Sequence, residues 1–239
     1  MRARAAALTA GPMLALLLLA ACDNGDRVES ARKFPPADRP VAPTVSTKWS
    51  TEEARDRVRE AEQIMDAAAV APGMTVADIG AGDGYYTVRL AQRVGARGRV
   101  LAQDIQPKVI ERLADRVARE RLDNVSLKLG AVDDPRLPPN SFDRVFLVHM
   151  YHEIGEPYAF LWRLYPALRA GGEVIVVDSD RPTAQHGIPL RLLICEFETV
   201  GYRLVAFSEK KDVGAYFARF TRKDRRPEPE AMTACKGGQ

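Results

Sequence analysis

The stretch Val76-Ala77-Asp78-Ile79-Gly80-Ala81-Gly82-Asp83-Gly84-Tyr85 runs from an apolar, strand-like segment into three glycines at alternate positions and then into a helical pattern. Such a turn lets backbone come close to a ligand, because glycine has no Cβ to block the approach, and a helix starting after Gly84 offers unpaired N–H groups. Asp104 ends the next strand, twenty positions after Gly84. A carboxylate there can accept hydrogen bonds from both hydroxyls of a ribose; a solvated strand end, or a cap for the helix near Pro107, is the plainer reading. A third cluster, His149-Met150-Tyr151-His152-Glu153, closes a later strand. It holds two of the three histidines in the chain, and the third, His186, falls in a loop expected to open on the same edge of the sheet.

Charge decides which nucleotide the glycine turn suits. A dinucleotide fold prefers G-x-G-x-x-G and lays an anionic pyrophosphate on the helix start. This loop is G-x-G-x-G with carboxylates at Asp78 and Asp83. S-adenosylmethionine brings an ammonium, a sulfonium and one carboxylate, and Asp78 is placed to receive the ammonium directly or through water. An NAD-type oxidoreductase is the disfavoured rival. The histidines admit three readings: structural bonding between loops, a general base for a substrate N–H or O–H, or a metal site. No HExxH or CxxC spacing supports the last, and no metal is expected.

These residues need a scaffold that gathers strand ends. Apolar residues at Ala54, Val58, Ala61, Ile64 and Met65 predict one helix over 51–69, with Ser50 and Glu53 as its capping box. Strand and helix then alternate: strands at 75–79, 99–104, 125–129, 144–148 and 173–178, helices at 85–94, 107–119, 158–168 and 189–200. That alternation implies a parallel sheet with crossovers covering both faces. Segments 202–207 and 215–220 read as a closing antiparallel hairpin.

Asp78 to Gly84, Asp104, Gly130-Ala131-Val132-Asp133-Asp134, Ser141-Phe142-Asp143 and Leu168-Arg169-Ala170-Gly171-Gly172-Glu173 together resemble the ordered motifs of class I S-adenosylmethionine-dependent methyltransferases, over about 72–220. The resemblance implies an α/β fold: a doubly wound, Rossmann-like, mostly parallel seven-stranded sheet with a C-terminal antiparallel hairpin. It implies S-adenosylmethionine contacts at Asp78, Gly80, Ala81, Gly82, Gly84, Asp104 and Ile105. Ala131 and Val132 would touch the adenine ring, and Asp133 or Asp134 its amino group; the motif here departs from the common Gly-Asp-Ala order, so either aspartate could serve. The fourth strand would end where the methyl meets its acceptor. His152, Tyr151 and His149 are therefore the candidate catalytic residues, with Tyr151 alternatively packed over the sulfonium and His149 also touching the cofactor. Trp49 would lie across the cofactor or in the core.

The chain of 239 residues, 46% hydrophobic and 28% charged, suits one well-cored domain, and a formal charge of +3 gives no basis for a nucleic-acid partner. Residues 1–21 show signal-peptide order: Arg2 and Arg4, the apolar run from Met13 to Leu19, then Ala20-Ala21. Leu19-Ala20-Ala21-Cys22 resembles a bacterial lipobox, which predicts a lipid on Cys22 and a membrane-anchored lipoprotein of the cell envelope. Proline-marked residues 22–48 read as a tether, 49–222 as the domain and 223–239 as a frayed tail. Cys195 and Cys235 could pair in an oxidising compartment, but one falls in an expected helix and the other in the tail, so no bond is assigned. The expected acceptor is a small molecule, because the loops are short. A non-catalytic envelope lipoprotein that keeps the fold as a binding or scaffolding module is the rival from a different class.

Overall fold

The computed structural model describes residues 27–44 and 51–237. The signal-like segment, Cys22, Trp49 and Ser50 lie outside them. Seven strands form one sheet: β1 (Thr75–Ile79), β2 (Arg99–Asp104), β3 (Val125–Leu129), β4 (Phe142–Val148), β5 (Leu168–Asp178), β6 (Tyr202–Lys210) and β7 (Ala215–Arg222). Their order is β3-β2-β1-β4-β5-β7-β6, with β1 to β5 parallel and β7 antiparallel to both β5 and β6. The expected mostly parallel sheet with a closing hairpin is what the chain forms.

Side-chain alternation along the strands explains the two layers. Ala77, Ile79, Val145, Leu147, Val174 and Val176 point into a core with α5 (Pro157–Leu164) and α6 (Leu190–Val200). Their neighbours Val76, Phe146, Ile175 and Val177 point the other way, to α2 (Glu60–Ala67) and α3 (Tyr85–Val94). Strands buried on both faces read as continuous apolar runs, the signature visible in the sequence. The chain passes from β1 outward through β2 to β3 and returns to β4 on the opposite side of β1. The carboxyl ends of β1 and β4 thus mark a topological switch point, where such sheets open a crevice.

The helix expected over 51–69 is two pieces, α1 (Glu52–Arg57) and α2, broken where Arg59 takes φ +52°. Arg55 reaches across the break to hold Glu60, its Nη2 2.6 Å from Oε1. The cap is Thr51, whose Oγ1 accepts the Ala54 N–H at 3.2 Å, so the Glu53-based box is not the one used.

The tether and the frayed tail are both corrected. Within 27–44, Ala31, Phe34, Arg39 and Ala42 are buried, and Arg39 Nε donates to Glu196 at 2.8 Å with both side chains 1% exposed. Asp38 bridges to Lys236, joining the two terminal segments. In the tail, Cys235 is disulfide-bonded to Cys195, and the Arg226 guanidinium lies 3.4 Å from the Trp162 ring centroid. Trp162 Nε1 donates to the Pro227 carbonyl at 3.1 Å. Scattered apolar and arginine anchors lack the periodicity that betrays a helix or strand, so polarity and proline content concealed the packing. Among the described residues no helix is long and apolar enough to cross a membrane.

Candidate functional site

A cavity of about 520 Å³ opens at the switch point. Its floor is the loop after β1. Gly80 takes φ +66°, and a Cβ there would lie 3.0 Å from Met150 Cγ. Gly84 takes φ +90°, and a Cβ there would lie 2.5 Å from Leu113 Cδ1; it faces away from the cavity and does not line it, so the cofactor contact expected of it is not found, and its glycine serves the turn instead. At Gly82, φ +55°, a Cβ would meet nothing within 4 Å; here the requirement is conformational, and the open side belongs to the cavity wall.

The β2 end forms one side. Asp104 Oδ2 accepts the Gly82 N–H at 3.2 Å and Oδ1 the Gln106 N–H at 2.9 Å. A carboxylate oxygen has room for a second donor, so both can still accept ribose hydroxyls. Gln103 also lines the cavity, and its buried Nε2 has no hydrogen-bond partner among the described residues. A buried donor left unmet costs about 1–3 kcal/mol, which a bound acceptor would recover. Ile105 and Val132, 38% and 49% exposed, and Ala131 also line the cavity. Aliphatic side chains kept exposed beside a polar clamp suit a flat, apolar-faced ring.

Other expected contacts lie elsewhere. Asp78 does not line the cavity: strand alternation sends Ile79 to the wall and Asp78 to the opposite face, where Oδ2 accepts the Thr87 hydroxyl at 2.7 Å. Burial pushes its carboxyl up to about 6, with nearby Asp104 adding to the rise and Thr87 and Arg55 opposing it. Asp133 is also turned away, holding Arg163 at 2.5 Å and accepting from the Ser30 hydroxyl. Asp134 folds onto its own turn, accepting the Arg136 N–H at 2.7 Å.

Of the three candidate catalytic residues only His149 lines the cavity. A single 3₁₀ turn, Tyr151–Glu153, directs the next two side chains inward. Tyr151 is fully buried and donates to Glu196 at 2.7 Å, so it does not cover a sulfonium. His152 is 1% exposed with Nδ1 2.9 Å from Asp178 Oδ2, facing His186 across 5.6 Å between ring centroids. His149, at φ +54°, places Nε2 3.4 Å from Glu60 Oε1. Burial would raise Glu60, but the His149 and Arg55 contacts outweigh it and hold the carboxyl down to about 2.

The remaining wall was not foreseen. Thr51, Glu52 and Arg55 of the α1 segment, with Val41 and Thr44 of the N-terminal segment, close the cavity. Arg55 uses Nε and Nη2 on Glu60 and lies 3.8 Å from the Tyr85 ring centroid. Arg55 and Glu60 stand on either side of the α1–α2 break, so the single helix expected over 51–69 gave no sign of their pairing.

Residues 76–172 match a family model described as a methyltransferase domain. Over 111 residues the chain is 32% identical to an arsenite methyltransferase of Halobacterium salinarum, covering 46% of this chain and 28% of that protein. It is 28% identical over 181 residues to the ubiquinone/menaquinone biosynthesis C-methyltransferase UbiE of Stenotrophomonas maltophilia, covering 71% and 66%. The match thus spans less than two thirds of either relative's own length. Among solved structures, an S-adenosylmethionine-dependent methyltransferase from Aquifex aeolicus superposes with TM-score 0.64 at 24% identity, covering 70% of this chain and 92% of that one. The [4+2]-cyclase SpnF does so with TM-score 0.61 at 15% identity, covering 81% and 90%. The fold is that of class I methyltransferases, and it also carries other chemistry.

Proposed function

We propose, from the premise that residues 76–172 carry a methyltransferase domain, that this chain is an S-adenosylmethionine-dependent methyltransferase acting on a small-molecule acceptor. The observation that carries the reading is the Asp104 clamp beside the Gly80–Gly84 loop, set against the exposed Ile105 and Val132. Bound there, S-adenosylmethionine supplies an electrophilic methyl that an acceptor's lone pair can take by in-line displacement.

The residues of this chain do the positioning. Asp104 accepts the ribose hydroxyls, Gln103 donates to the ligand through Nε2, and Ile105, Ala131 and Val132 flank the adenine. A guanidinium has five N–H groups, so Arg55 keeps donors for a carboxylate beyond the two it gives Glu60. Alignment of nucleophile and methyl is the principal source of rate, an effect that reaches roughly 7–11 kcal/mol in favourable systems. His149, its ring oriented by Glu60, is the group assigned to take the acceptor's proton. The relatives' named substrates belong to those proteins; for this chain the short loops support a small acceptor.

Export with a lipid on Cys22 is part of the same proposal. The bond between Cys195 and Cys235 supports it, because disulfides persist in oxidising compartments. Metabolic labelling with a radioactive fatty acid tests it: label lost in Cys22→Ala is the expected result, and an unlabelled wild type would refute it.

Calorimetric titration of the full chain, in mild detergent, tests the cofactor. Micromolar binding of S-adenosylmethionine with none of NAD is expected. Tighter binding of NAD would transfer the site to hydride chemistry, and binding of neither would leave a fold kept for scaffolding.

A further inference from the structure

Two buried imidazole nitrogens, on rings whose centroids are 5.6 Å apart, have no hydrogen-bond partner among the described residues. His152 is held through Nδ1 by Asp178, at 3.0 Å and 2.9 Å from its two oxygens, so the Nδ1–H is committed and the lone pair lies on Nε2. That Nε2 is buried and meets no hydrogen-bonding atom among the described residues, and the same holds for Nδ1 of His186. One ring nitrogen from each histidine and a carboxylate oxygen of Glu153 all lie within 4.8 Å of one another.

We propose that His152 Nε2, His186 Nδ1 and the Glu153 carboxylate form a mononuclear site for a divalent transition metal of the zinc type. Two imidazoles and one carboxylate are a donor set that such ions take, and three protein ligands leave a coordination position open. Ligand atoms in a tetrahedral zinc shell sit roughly 3.4 Å apart, so side-chain movements of about 1 Å gather the set. Asp178 supplies the outer carboxylate that orients a ligating histidine and raises its basicity. Together Asp178 and Glu153 offset the charge of a dication. Glu153 also lines the cavity, which puts the metal against the wall of the proposed acceptor site.

The loop carrying His186 is built to hold still. Arg181 donates Nε and Nη2 to the His186 carbonyl at 3.1 Å and 2.9 Å, and the Ile188 N–H bonds the Ser179 carbonyl at 2.9 Å. Asp178 Oδ1 further accepts the Ser179 N–H at 2.8 Å, so one carboxylate ties the His152 ring to the start of that loop. The ligands come from two separate loops, which is why no compact spacing motif announces them.

The test uses the full chain in mild detergent, stripped with a chelator and titrated with Zn²⁺, and in parallel with Co²⁺ followed by visible absorption. One equivalent of Zn²⁺ per chain is expected, with intense Co²⁺ bands of a four- or five-coordinate site. His186→Ala, in a surface loop, should lower Zn²⁺ affinity at least 10-fold while thermal unfolding of the metal-free protein stays unchanged. Asp178→Asn should lower affinity 10- to 100-fold, the usual effect of losing an outer carboxylate. Absence of stoichiometric binding, a weak octahedral Co²⁺ spectrum, or full affinity in His186→Ala would each overturn the proposal. The readout is metal occupancy, so it stands or falls independently of S-adenosylmethionine binding.

Discussion

The Asp104 carboxylate bonds the Gly82 amide at 3.2 Å and the Gln106 amide at 2.9 Å, so one side chain fixes both the glycine loop and the turn that starts α4 (Pro107–Arg119). Losing it removes the ribose acceptor and loosens the floor together. Hydrogen bonds to charged groups contribute about 1.5–3 kcal/mol each. Asp104→Ala should therefore weaken S-adenosylmethionine binding by about 100-fold or more, read by calorimetry. An affinity within a few-fold of wild type would show that the ribose sits elsewhere.

His149→Ala should lower turnover about 100-fold, the ordinary contribution of a positioned base, with S-adenosylmethionine affinity changed only a few-fold. His152→Ala should act differently. Its ring is buried against Asp178 and does not line the cavity, so the measured change is a lower unfolding temperature. Equal turnover in His149→Ala and wild type, once an acceptor is identified, would remove the base assignment.

Asp78 and Glu60 should give stability opposite pH dependences. The Asp78 carboxyl rises from 3.8 to about 6 on folding, so its contribution is full below pH 4 and lost as pH rises through 6. Asp78→Asn keeps an acceptor for Thr87 and removes the buried charge. Relative to wild type it should be more stable at pH 7.5 than at pH 4 by up to about 3 kcal/mol in denaturant unfolding. Glu60 falls from 4.5 to about 2, so its contribution is present above pH 4.5 and lost as pH falls through 2. A pH-independent difference between Asp78→Asn and wild type would contradict the buried placement.

The Arg39 and Glu196 side chains are each 1% exposed and hold the N-terminal segment to α6. Arg39→Ala leaves the Glu196 carboxylate buried without its charge partner, and breaking such a pair costs roughly 3–5 kcal/mol. Chemical denaturation checks this. Loss of less than about 1 kcal/mol would mean the segment is not packed as described.

How much of this the sequence disclosed follows from where periodicity operates. Strands β1 to β3 and the helices α3 and α4 matched their expected bounds, because glycine boundaries and buried apolar runs are local signals; β4 to β7 run longer than expected, and β5 begins at Leu168 rather than 173, taking in the Gly171-Gly172 pair that read as a boundary. Gly80, Ala81, Gly82, Asp104, Ile105, Ala131 and Val132 reached the cavity for the same reason, while Gly84 packs behind the loop against Leu113. Asp78 and Asp133 did not, because facing depends on strand alternation and on a distant partner, Thr87 for one and Arg163 for the other. The α1–α2 break and the anchored termini were hidden because Arg55–Glu60, Arg39–Glu196 and Cys195–Cys235 are tertiary contacts with no periodic trace. Truncating the chain near residue 47 would strip Val41 and Thr44 from the cavity wall.

The cavity is proposed to hold the methyl donor by its ribose and adenine. A crystal structure of the protein grown with S-adenosylhomocysteine, the demethylated product, tests it most directly. The expected density has ribose hydroxyls on Asp104 and the adenine ring between Ile105 and Val132. A ligand bound outside the cavity, or bound within it with the ribose away from Asp104, would rule this assignment out.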